Sequence, residues 1–372
     1  MNASSALRDI AESLVVGPGV APGAALGVAL FDGHRWRMEV AAAGYLDARK
    51  AEAVSTKTPF DLASVTKPVF ALTLARLAAT RRLGLEAALA AHLPEASGTP
   101  SAELSLELFL SHRAGLDAHR TLYRPLVAGN AFDRIDALRE AALARRPEAK
   151  GAPPPEGFPP LYSDLGYLLL GAAVEASAGR ALDTIIAEEV SEPLGLELGS
   201  ARRLLGFRPR FFSEVAPTEI VDWRGGELRG VVHDENAWAL GGHGACGHAG
   251  LFADVHAVLG FGARVLDVLA GRLRDFLEPE RAELLVRPRP GGTLRAGFDG
   301  ISPEGSAAGS QLGPRAFGHL GFTGTSLWCD PDAGWVTVLL THRVHPSREH
   351  VEIRKARPKV QDALAAFARE CA

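Results

Sequence analysis

One short stretch pairs a hydroxyl with an amine at helical spacing. Residues 59–76 read PFDLASVTKPVFALTLAR, and within them Ser64 and Lys67 form an S-x-x-K element. The apolar positions that follow, beginning with Val69 and Phe70, recur as in a buried helix. Residues three apart on a helix share a face, so the hydroxyl and the amine should stand side by side in the first turn. The pattern predicts a nucleophile beside a candidate base.

The chemistry of this pair sets a condition on Lys67. Serine attacks only when a neighbour takes its proton, and a lysine can do so only when it is neutral. A free lysine has a pKa of about 10.4, so a base working near pH 7 needs a pKa lowered by roughly 2–3 units. Burial and a nearby cation both act in that direction. The free N–H groups of the helix start also favour an oxyanion at Ser64.

Lysine is much rarer than arginine in this chain, yet a lysine stands three residues after Ser64. Only six of the 40 Lys and Arg residues are lysines, and of these only Lys67 has a serine three positions before it. Arginine cannot deprotonate in a protein, so it could not act as the base. For the tetrapeptide alone, an ordinary helix start with a solvated lysine stays an open alternative.

Length and composition bound the function classes. A chain of 372 residues predicts two structural units or one large fold with an insertion. A net charge of −4 without a like-charge run indicates neither nucleic acid nor an anionic membrane surface as partner. Three scattered cysteines favour a reducing compartment. With no signal peptide and no apolar run of about 18 residues, we expect a soluble, cytoplasmic protein.

The order of elements predicts the fold class. Residues 23–46 form a hairpin around Asp32-Gly33, and further strands cover 318–330 and 334–344. Helices are predicted between them, one of them over 252–285, and at 357–372. This order indicates an α/β (α+β) fold, an antiparallel sheet built from both termini and flanked by helices, with an inserted, mainly helical subdomain. The predicted parts are residues 1–85 with 240–372 for the sheet and 86–239 for the insertion, together one catalytic unit.

Two further elements complete a set of three motifs. Tyr162-Ser163-Asp164 follows a stiff, proline-rich segment at 151–160, and His319-Leu320-Gly321 lies on a predicted strand. With Ser64 and Lys67, the sequence resembles the serine β-lactamase and penicillin-binding-protein-like superfamily. It is most similar to the esterase and class C β-lactamase branch. The likeness also covers ELFLSHRAGL, YSDLGYLLLGAAVE and GHLGFTGTSLW, roughly residues 20–365 in all, and implies a β-lactamase/transpeptidase-like fold.

The resemblance implies roles for individual residues. Ser64 would be the acylated nucleophile, Lys67 would help to deprotonate it, and Tyr162 would move a proton between nucleophile and leaving group. His319 would take the place of the third-motif lysine. The remaining expected contacts are an oxyanion hole from the N–H groups of Ser64 and Phe322, and substrate binding by Asp164, Gly321 and Thr323.

Two residues depart from the pattern of the superfamily. His319 replaces a lysine, so a fixed positive charge becomes a group expected to titrate near neutrality, which puts affinity for β-lactams and other carboxylates in doubt. Asp164 stands where many relatives carry Asn. As an anion it would stabilise protonated Lys67 and oppose the base role. Alternatively Asp164 or Ser163 caps the following helix, and both readings stay open.

Two other signals are weaker. Residues 242–247, GHGACG, match G-x-G-x-x-G but follow no clear strand, so a dinucleotide site is not expected. A cluster near this segment has ligand chemistry but no standard zinc spacing. Its members are His233, Asp234, His243, Cys246 and His248. We therefore expect no cofactor and no metal.

The sequence as a whole predicts a serine hydrolase acting through an acyl-enzyme on Ser64. The expected substrates are carboxyl esters or small peptide amides, with esterase activity favoured over β-lactamase-like or D-peptidase-like activity. One alternative is an acyltransferase that uses the same acyl-Ser64, and another is a catalytically inert, ligand-binding member of the fold. Four side chains are further candidates for the walls of the cleft: Trp223, Trp238, Tyr123 and Arg120.

Overall fold

The computed structural model describes residues 3–47 and 51–371. Its centre is a six-stranded antiparallel sheet in the order β2-β1-β11-β10-β9-β8. The strands are β1 (Gly23–Phe31), β2 (Trp36–Gly44), β3 (Phe60–Asp61), β4 (Leu198–Gly199), β5 (Ile220–Val221), β6 (Gly226–Glu227), β7 (Phe252–Ala253), β8 (Asp299–Gly300), β9 (Phe317–Leu320), β10 (Ser326–Asp330) and β11 (Trp335–Thr341). The helices are α1 (Ala3–Ala11), α2 (Thr66–Ala79), α3 (Leu89–His92), α4 (Leu106–Leu110), α5 (Arg124–Val127), α6 (Arg134–Leu143), α7 (Asp164–Ala178), α8 (Leu182–Ile186), α9 (Ala201–Leu205), α10 (Phe211–Glu214), α11 (Glu235–Gly241), α12 (Val255–Leu269), α13 (Pro279–Val286) and α14 (Ile353–Cys371).

The sheet joins the two ends of the chain, as the sequence predicted. Strand β1 pairs with β2 on one side and with β11 on the other, so that Ala24 lies opposite both Ala43 and Thr341. The hairpin turn forms where expected, because Asp32 accepts hydrogen bonds from the N–H groups of the next residues while Gly33 takes a φ of 93°. The mixed fold with an antiparallel sheet and flanking helices is confirmed. The subdomain boundaries at 85/86 and 239/240 stay a prediction.

Helices cover both faces of the sheet. Leu26 and Val28 of β1 pack in a core with Leu7 of α1 and Val360 of α14, whereas Ala29 belongs to the core on the opposite side. Successive strand residues point to opposite faces, so a strand covered on both sides must be apolar throughout. This explains the unbroken apolar run GAALGVALF, which the alternating pattern of a half-exposed strand would not produce.

Helix α12 lies close to the sheet because a glycine faces it. A Cβ on Gly262 would come within 2.5 Å of the Val336 side chain and 3.0 Å of Leu327. Contacts that short do not occur between real side chains, so only glycine allows this approach. The same layer holds α2, which is buried along nearly its whole length and carries the S-x-x-K element at its start.

Some element predictions were wrong in their limits. The strand predicted over 318–330 is two strands, β9 and β10, that pair with each other across residues 321–325. The helix predicted over 252–285 is a short strand and two helices, β7, α12 and α13. Both errors merge elements that a short turn separates. Among the described residues, no helix has the length and apolar character needed to cross a membrane.

Candidate active site

Ser64 stands on a tight turn in front of α2. Residues Ala63–Val65 form a single 3₁₀ turn, and Ala63 has a φ of 47°, a conformation that non-glycine residues rarely adopt. The buried carboxylate of Asp61 holds this turn, since its Oδ1 accepts from the Ala63 N–H at 2.8 Å. Because Ser64 lies at a helix start, its own N–H is one of those that a helix leaves without an internal partner.

Lys67 lies directly beside the Ser64 hydroxyl. Its Nζ is fully buried and reaches Ser64 Oγ at 2.9 Å, Asp164 Oδ1 at 2.6 Å and the carbonyl oxygen of His248 at 3.4 Å. These three acceptors match the three protons of an ammonium group. The S-x-x-K geometry predicted from spacing is present.

The charge state of Lys67 differs from the expectation. Burial acts to lower the pKa of Lys67, but the neighbouring Asp164 carboxylate and Tyr162 hydroxyl act more strongly, and the pKa is raised above its usual value. The condition for Lys67 to act as the base, a lowered pKa, is therefore not met, in line with the effect expected of an anionic Asp164. The sequence suggested burial, but the strength of the opposing ion pair depends on a contact between residues 97 positions apart.

Asp164 serves Lys67 and not the helix start. It is the first residue of α7, and its side chain is 23% exposed. Ser163 occupies the position before the helix but makes no capping hydrogen bond there, because its Oγ donates to the carbonyl oxygen of Asp117 at 2.6 Å. The structure therefore favours the ionic reading of Asp164 over the capping one. A carboxylate in the first turn also interacts favourably with the helix dipole.

Tyr162 meets Ser64 and Lys67 from the other side. Lys67 Nζ lies 4.8 Å from the centre of its ring, and both Lys67 and Ser64 are near enough to influence its hydroxyl. Burial raises the pKa of Tyr162 to about 12, against the opposing influence of the Lys67 cation. The phenol is therefore protonated at rest.

His112 positions Tyr162 and was missed as a site residue. The two rings stack with centroids 4.8 Å apart, and His112 Nδ1 accepts from the Ser163 N–H at 3.0 Å. Burial and the Lys67 cation hold the pKa of His112 well below its ordinary value, so the ring is neutral. His112 lies in the segment ELFLSHRAGL, which suggested only a family likeness. Its backbone φ of 61° is a signal that appears only in three dimensions.

His319 lies on β9 with its ring centroid 5.9 Å from that of Tyr162. Burial, helped by the Lys67 cation, lowers the pKa of His319 to about 3. The expectation of titration near neutrality was therefore wrong. Its Nδ1 lies 2.9 Å from the carbonyl oxygen of Leu320, which can only accept, so Nδ1 carries the proton and Nε2 is an acceptor. The residue that replaces the third-motif lysine is thus an uncharged acceptor.

Gly321 brings the end of β9 against the Ser64 turn. A Cβ on Gly321 would lie 1.9 Å from Thr325 Oγ1 and 2.5 Å from the carbonyl oxygen of Leu62, so no side chain fits. The next residue, Phe322, is half-exposed, and its N–H has no acceptor among the described residues. This N–H and that of Ser64 are the two donors expected to form the oxyanion hole.

Thr323 does not take the expected position. It is buried, and its Oγ1 donates to the carbonyl oxygen of Asp61 at 2.7 Å. Its side chain is absent from the lining of the cavity that contains Ser64. The predicted substrate contact of Thr323 is corrected to a structural one, because the turn after Gly321 directs the side chain into the protein.

The sequence matches the model of one family over most of its length. The family is described as Beta-lactamase, and the match covers residues 15–361. The chain belongs to this family. The family assignment agrees with the resemblance that the three motifs indicated.

Curated relatives and solved structures extend the comparison. The chain is 28% identical to a putative D-alanyl-D-alanine carboxypeptidase of Salmonella gallinarum (strain 287/91 / NCTC 13346), over 78% of this chain and 71% of the relative. It is also 28% identical to an N-acetylmuramyl-L-alanine amidase of Bacillus subtilis (strain 168), with shares of 80% and 70%. The fold is similar to EstCE1, a hydrolase with promiscuous acyltransferase activity, at TM-score 0.68, 22% identity and shares of 96% and 98%. A class C β-lactamase from Rhodobacter sphaeroides matches with TM-score 0.67, 19% identity and full cover of both chains.

In this member of the family the motif residues meet in one cavity of about 660 Å³. Ser64, Tyr162, Asp164 and His319 all line it, and Gly321 and Phe322 complete the wall beside Ser64; Lys67 lies beneath, with no exposed surface. A larger groove of about 900 Å³, between the β1–β2 turn and α12, contains none of these side chains.

Aromatic residues cover part of the cavity. Tyr123 lines it and stacks on Trp223, with ring centroids 5.6 Å apart, and Trp238 packs edge-on against Trp223 at 5.8 Å. Of the four side chains suggested for the walls, Tyr123 lines the cavity directly and the two tryptophans support it. Arg120 does not, because its guanidinium pairs with Asp117 outside the cavity.

The glycine-rich segment has a packing role. It follows helix α11 and not a strand, and a Cβ on Gly247 would lie 2.0 Å from the carbonyl oxygen of Tyr167. Two of the three histidines of the nearby cluster have separate acidic partners: His233 contacts Glu219 at 2.9 Å, and His248 contacts Asp234 at 2.8 Å. Within residues 3–47 and 51–371, no three His, Cys, Asp or Glu side chains converge as a metal site would require.

Proposed function

We propose that this protein is a serine hydrolase that forms an acyl-enzyme on Ser64 and cleaves carboxyl esters or small peptide amides. The observation that carries the proposal is the contact of 2.9 Å between Ser64 Oγ and the buried Lys67 Nζ at the base of the cavity, with the Tyr162 ring centre 4.8 Å from the same Nζ. A lysine held in this way, with no exposed surface, has no role as a solvated helix residue.

The proton path follows from the charges. Lys67 is protonated and paired with Asp164, so it has no lone pair to accept the Ser64 proton at rest. The reactive form of the network has one proton fewer, and the Lys67 cation stabilises the Tyr162 phenolate that results. The phenolate takes the proton of Ser64 as Oγ attacks the substrate carbonyl carbon. Tyr162 then passes this proton to the leaving group, and water releases the acyl group in a second step.

The oxyanion is held by backbone donors. In the tetrahedral intermediate the former carbonyl oxygen carries a negative charge, and in this proposal the N–H groups of Ser64 and Phe322 stabilise it. Gly321 supports this role because its lack of a side chain lets β9 approach the Ser64 turn. Asp164 acts through Lys67, and His112 acts through Tyr162, so both are positioning residues.

The substrate class is argued from chemistry and from relatives. The relatives bear the names of a carboxypeptidase and an amidase, and one structural neighbour is named a hydrolase. A neutral His319 lacks the charge that would bind a substrate carboxylate, which favours esters and amides without a carboxylate over β-lactams and over peptides with a free C-terminus.

One experiment tests the proposal directly. The protein is treated with a chromogenic short-chain ester to follow turnover, and with a serine-reactive phosphonate followed by intact mass measurement. We expect turnover and one phosphonate adduct, both absent in Ser64→Ala, and slower labelling in Lys67→Ala by about 10²-fold or more. Ser213→Ala, which changes an exposed serine outside the cavity, is the matched control. No turnover and no adduct in the unchanged protein would favour the inert, ligand-binding alternative.

A further inference from the structure

The cavity presents an unused carboxylate oxygen. Asp234 Oδ1 accepts from His248 Nε2 at 2.8 Å and from the Ala237 N–H at 2.8 Å. Its Oδ2 has no hydrogen-bond donor among the described residues. The side chain is 24% exposed and lines the same cavity as Ser64. Asp234 can therefore still accept a hydrogen bond from a group that enters the cavity.

Asp234 is negatively charged throughout the physiological range. Burial acts to raise its pKa, but the buried His248 ring and the Ala237 N–H outweigh burial and hold the pKa well below its usual value. His119, exposed on the cavity wall, acts in the same direction. Burial acts to lower the pKa of His248, but Asp234 and, after it, Cys246 raise this pKa well above its ordinary value. The Asp234–His248 contact is thus an ion pair in which Asp234 Oδ2 has no donor among the described residues.

Two contacts fix the Asp234 loop to the nucleophile. Asp61 accepts from the Ala63 N–H at 2.8 Å with one oxygen and from the His233 N–H at 2.7 Å with the other. Its carboxylate therefore joins the residue before Ser64 to the residue before Asp234. The His248 carbonyl oxygen also contacts Lys67 Nζ at 3.4 Å. Asp234 is held at the cavity by the same elements that hold the catalytic side chains.

Most cations of the cavity wall already have partners in the protein. Arg343 and Arg357 donate to backbone carbonyl oxygens of the loops around them. Arg348 pairs with Glu219 and Glu235. These contacts hold each guanidinium group in place against the protein, although Arg343 and Arg357 have no carboxylate partner among the ion pairs of the described residues. Three of the four arginines that line the cavity therefore form hydrogen bonds or ion pairs within the protein.

Two acceptor atoms of the cavity wall have no donor among the described residues. The neutral His319 offers Nε2 as an acceptor, as described above, and Asp234 offers Oδ2. The remaining cavity arginine, Arg354, lies exposed in the first turn of α14, where water screens its charge. An ammonium group that enters the cavity meets a carboxylate oxygen that is free to accept, whereas Arg343, Arg348 and Arg357 already donate to oxygen atoms of the protein.

We propose that the esters or amides cleaved at Ser64 carry a cationic amine, and that Asp234 Oδ2 binds this group. The proposal rests on the proposed function, because it names the substrate class of the same site. It distinguishes this chain from the carboxypeptidase named among its relatives, whose name implies a substrate with a free carboxylate.

The first test uses the unchanged protein and two matched pairs of esters. Methyl alaninate, as D and L forms, is compared with methyl propanoate to place the cation on the acyl side. Acetylcholine is compared with its neutral analogue 3,3-dimethylbutyl acetate to place the cation on the leaving-group side. In at least one pair we expect kcat/KM to be about 10- to 100-fold higher for the cationic member, the range for a hydrogen bond or contact with a charged group.

Variants assign the preference to Asp234. In Asp234→Asn, which keeps an acceptor for the Ala237 N–H, the ratio of cationic to neutral kcat/KM should fall at least fivefold. Asp234→Glu keeps the charge and should retain part of the ratio, which a merely structural role would not do. Asp222→Asn removes an exposed carboxylate outside the cavity lining, and the ratio should not change.

The outcomes separate the two proposals. If the unchanged protein neither turns over any ester nor labels at Ser64, the proposed function fails. If it turns over the neutral esters but shows less than a threefold preference in both pairs, only the amine proposal is overturned. Should Asp234→Asn not fold, competition in the unchanged protein decides: propylammonium should inhibit at a lower concentration than propanoate, and the reverse order would overturn the proposal.

Discussion

Two buried histidines of the active-site region differ in charge: one is neutral and the other is a cation. His319, on β9, is 5% exposed and neutral, with a pKa lowered to about 3, whereas His248 is 1% exposed and has a pKa raised well above its ordinary value. Burial lowers the pKa of both. The difference lies in the partner, since His319 meets a backbone carbonyl oxygen and His248 meets the Asp234 carboxylate.

This difference teaches that burial does not set the charge of a site residue. The Leu320 carbonyl oxygen accepts a hydrogen bond from His319 but carries no full negative charge that would stabilise a cation. The neutral form of His319 is therefore the stable one. A carboxylate makes the cation the stable form even without water. Lys67 repeats the second case, with Asp164 as its partner. Each of the following predictions changes one side of this comparison.

The largest expected effect follows from removing the carboxylate of Asp234. Asp234→Ala leaves His248 buried without its counter-charge, and breaking a buried pair in this way costs about 3–5 kcal/mol of the free energy of unfolding. Urea denaturation at pH 7 measures the change. Asp222→Asn, at an exposed position, should shift the free energy by less than about 0.5 kcal/mol. A loss below 1 kcal/mol for Asp234→Ala would show that His248 is not held as a cation.

The pH dependence of stability should have opposite signs for the two histidines. The pKa of His319 is about 3 in the folded state against 6.5 unfolded, so between these values only the unfolded chain binds the proton. Stability from His319 is therefore complete above pH 6.5 and declines as the pH falls. From pH 6.5 to 4.5 the loss is about 2–3 kcal/mol. It should be visible as a steeper acid decline in the unchanged protein than in His319→Gln.

His248 supplies the contrasting measurement. Its folded pKa is raised, so its contribution is complete below pH 6.5 and declines as the pH rises through the folded value. The stability difference between the unchanged protein and His248→Gln should therefore shrink on the alkaline side. Equal slopes for the two glutamine variants would contradict the assigned charges.

The pH dependence of ester hydrolysis should be set by the protons of Lys67 and Tyr162 and not by His319. The active network has lost one proton from Lys67, whose pKa is raised, or from Tyr162, whose pKa is about 12. We expect kcat/KM for a neutral ester to rise up to about tenfold per pH unit between pH 6 and 9, after subtraction of the Ser64→Ala background. His319 is already neutral in this range. An inflection near pH 6.5 that disappears in His319→Gln would refute this account.

The smallest effect concerns charge selectivity at β9. His319→Lys restores the residue type of the third motif and places a partly solvated cation where a neutral acceptor stood. The ratio of kcat/KM for monomethyl succinate to that for methyl propanoate should rise about fivefold, as about 1 kcal/mol of ion pairing allows. His319→Gln, which adds no charge, is the control. An equal ratio in all three proteins would mean that residue 319 does not face the variable part of the substrate.

Much of the fold could be predicted from local pattern. The β1–β2 hairpin, α7 and the approach of the two chain ends in one sheet follow from alternation, turn residues and apolar runs. The ends of short elements were harder to predict from the sequence. The break between β9 and β10, for example, depends on how Gly321 packs against Leu62. Nothing in the sequence marks that contact.

The residue types of the site and their order along the chain were determined by the sequence alone. Ser64 and Lys67 must share a face because helical spacing is a local property, and the three motifs placed Tyr162 and His319 in the family pattern. The tertiary structure decided the charges. The partners that protonate Lys67, neutralise His319 and make His248 a cation are distant in the chain or are backbone atoms. A pKa depends on distances of a few ångströms, which spacing along a sequence does not contain.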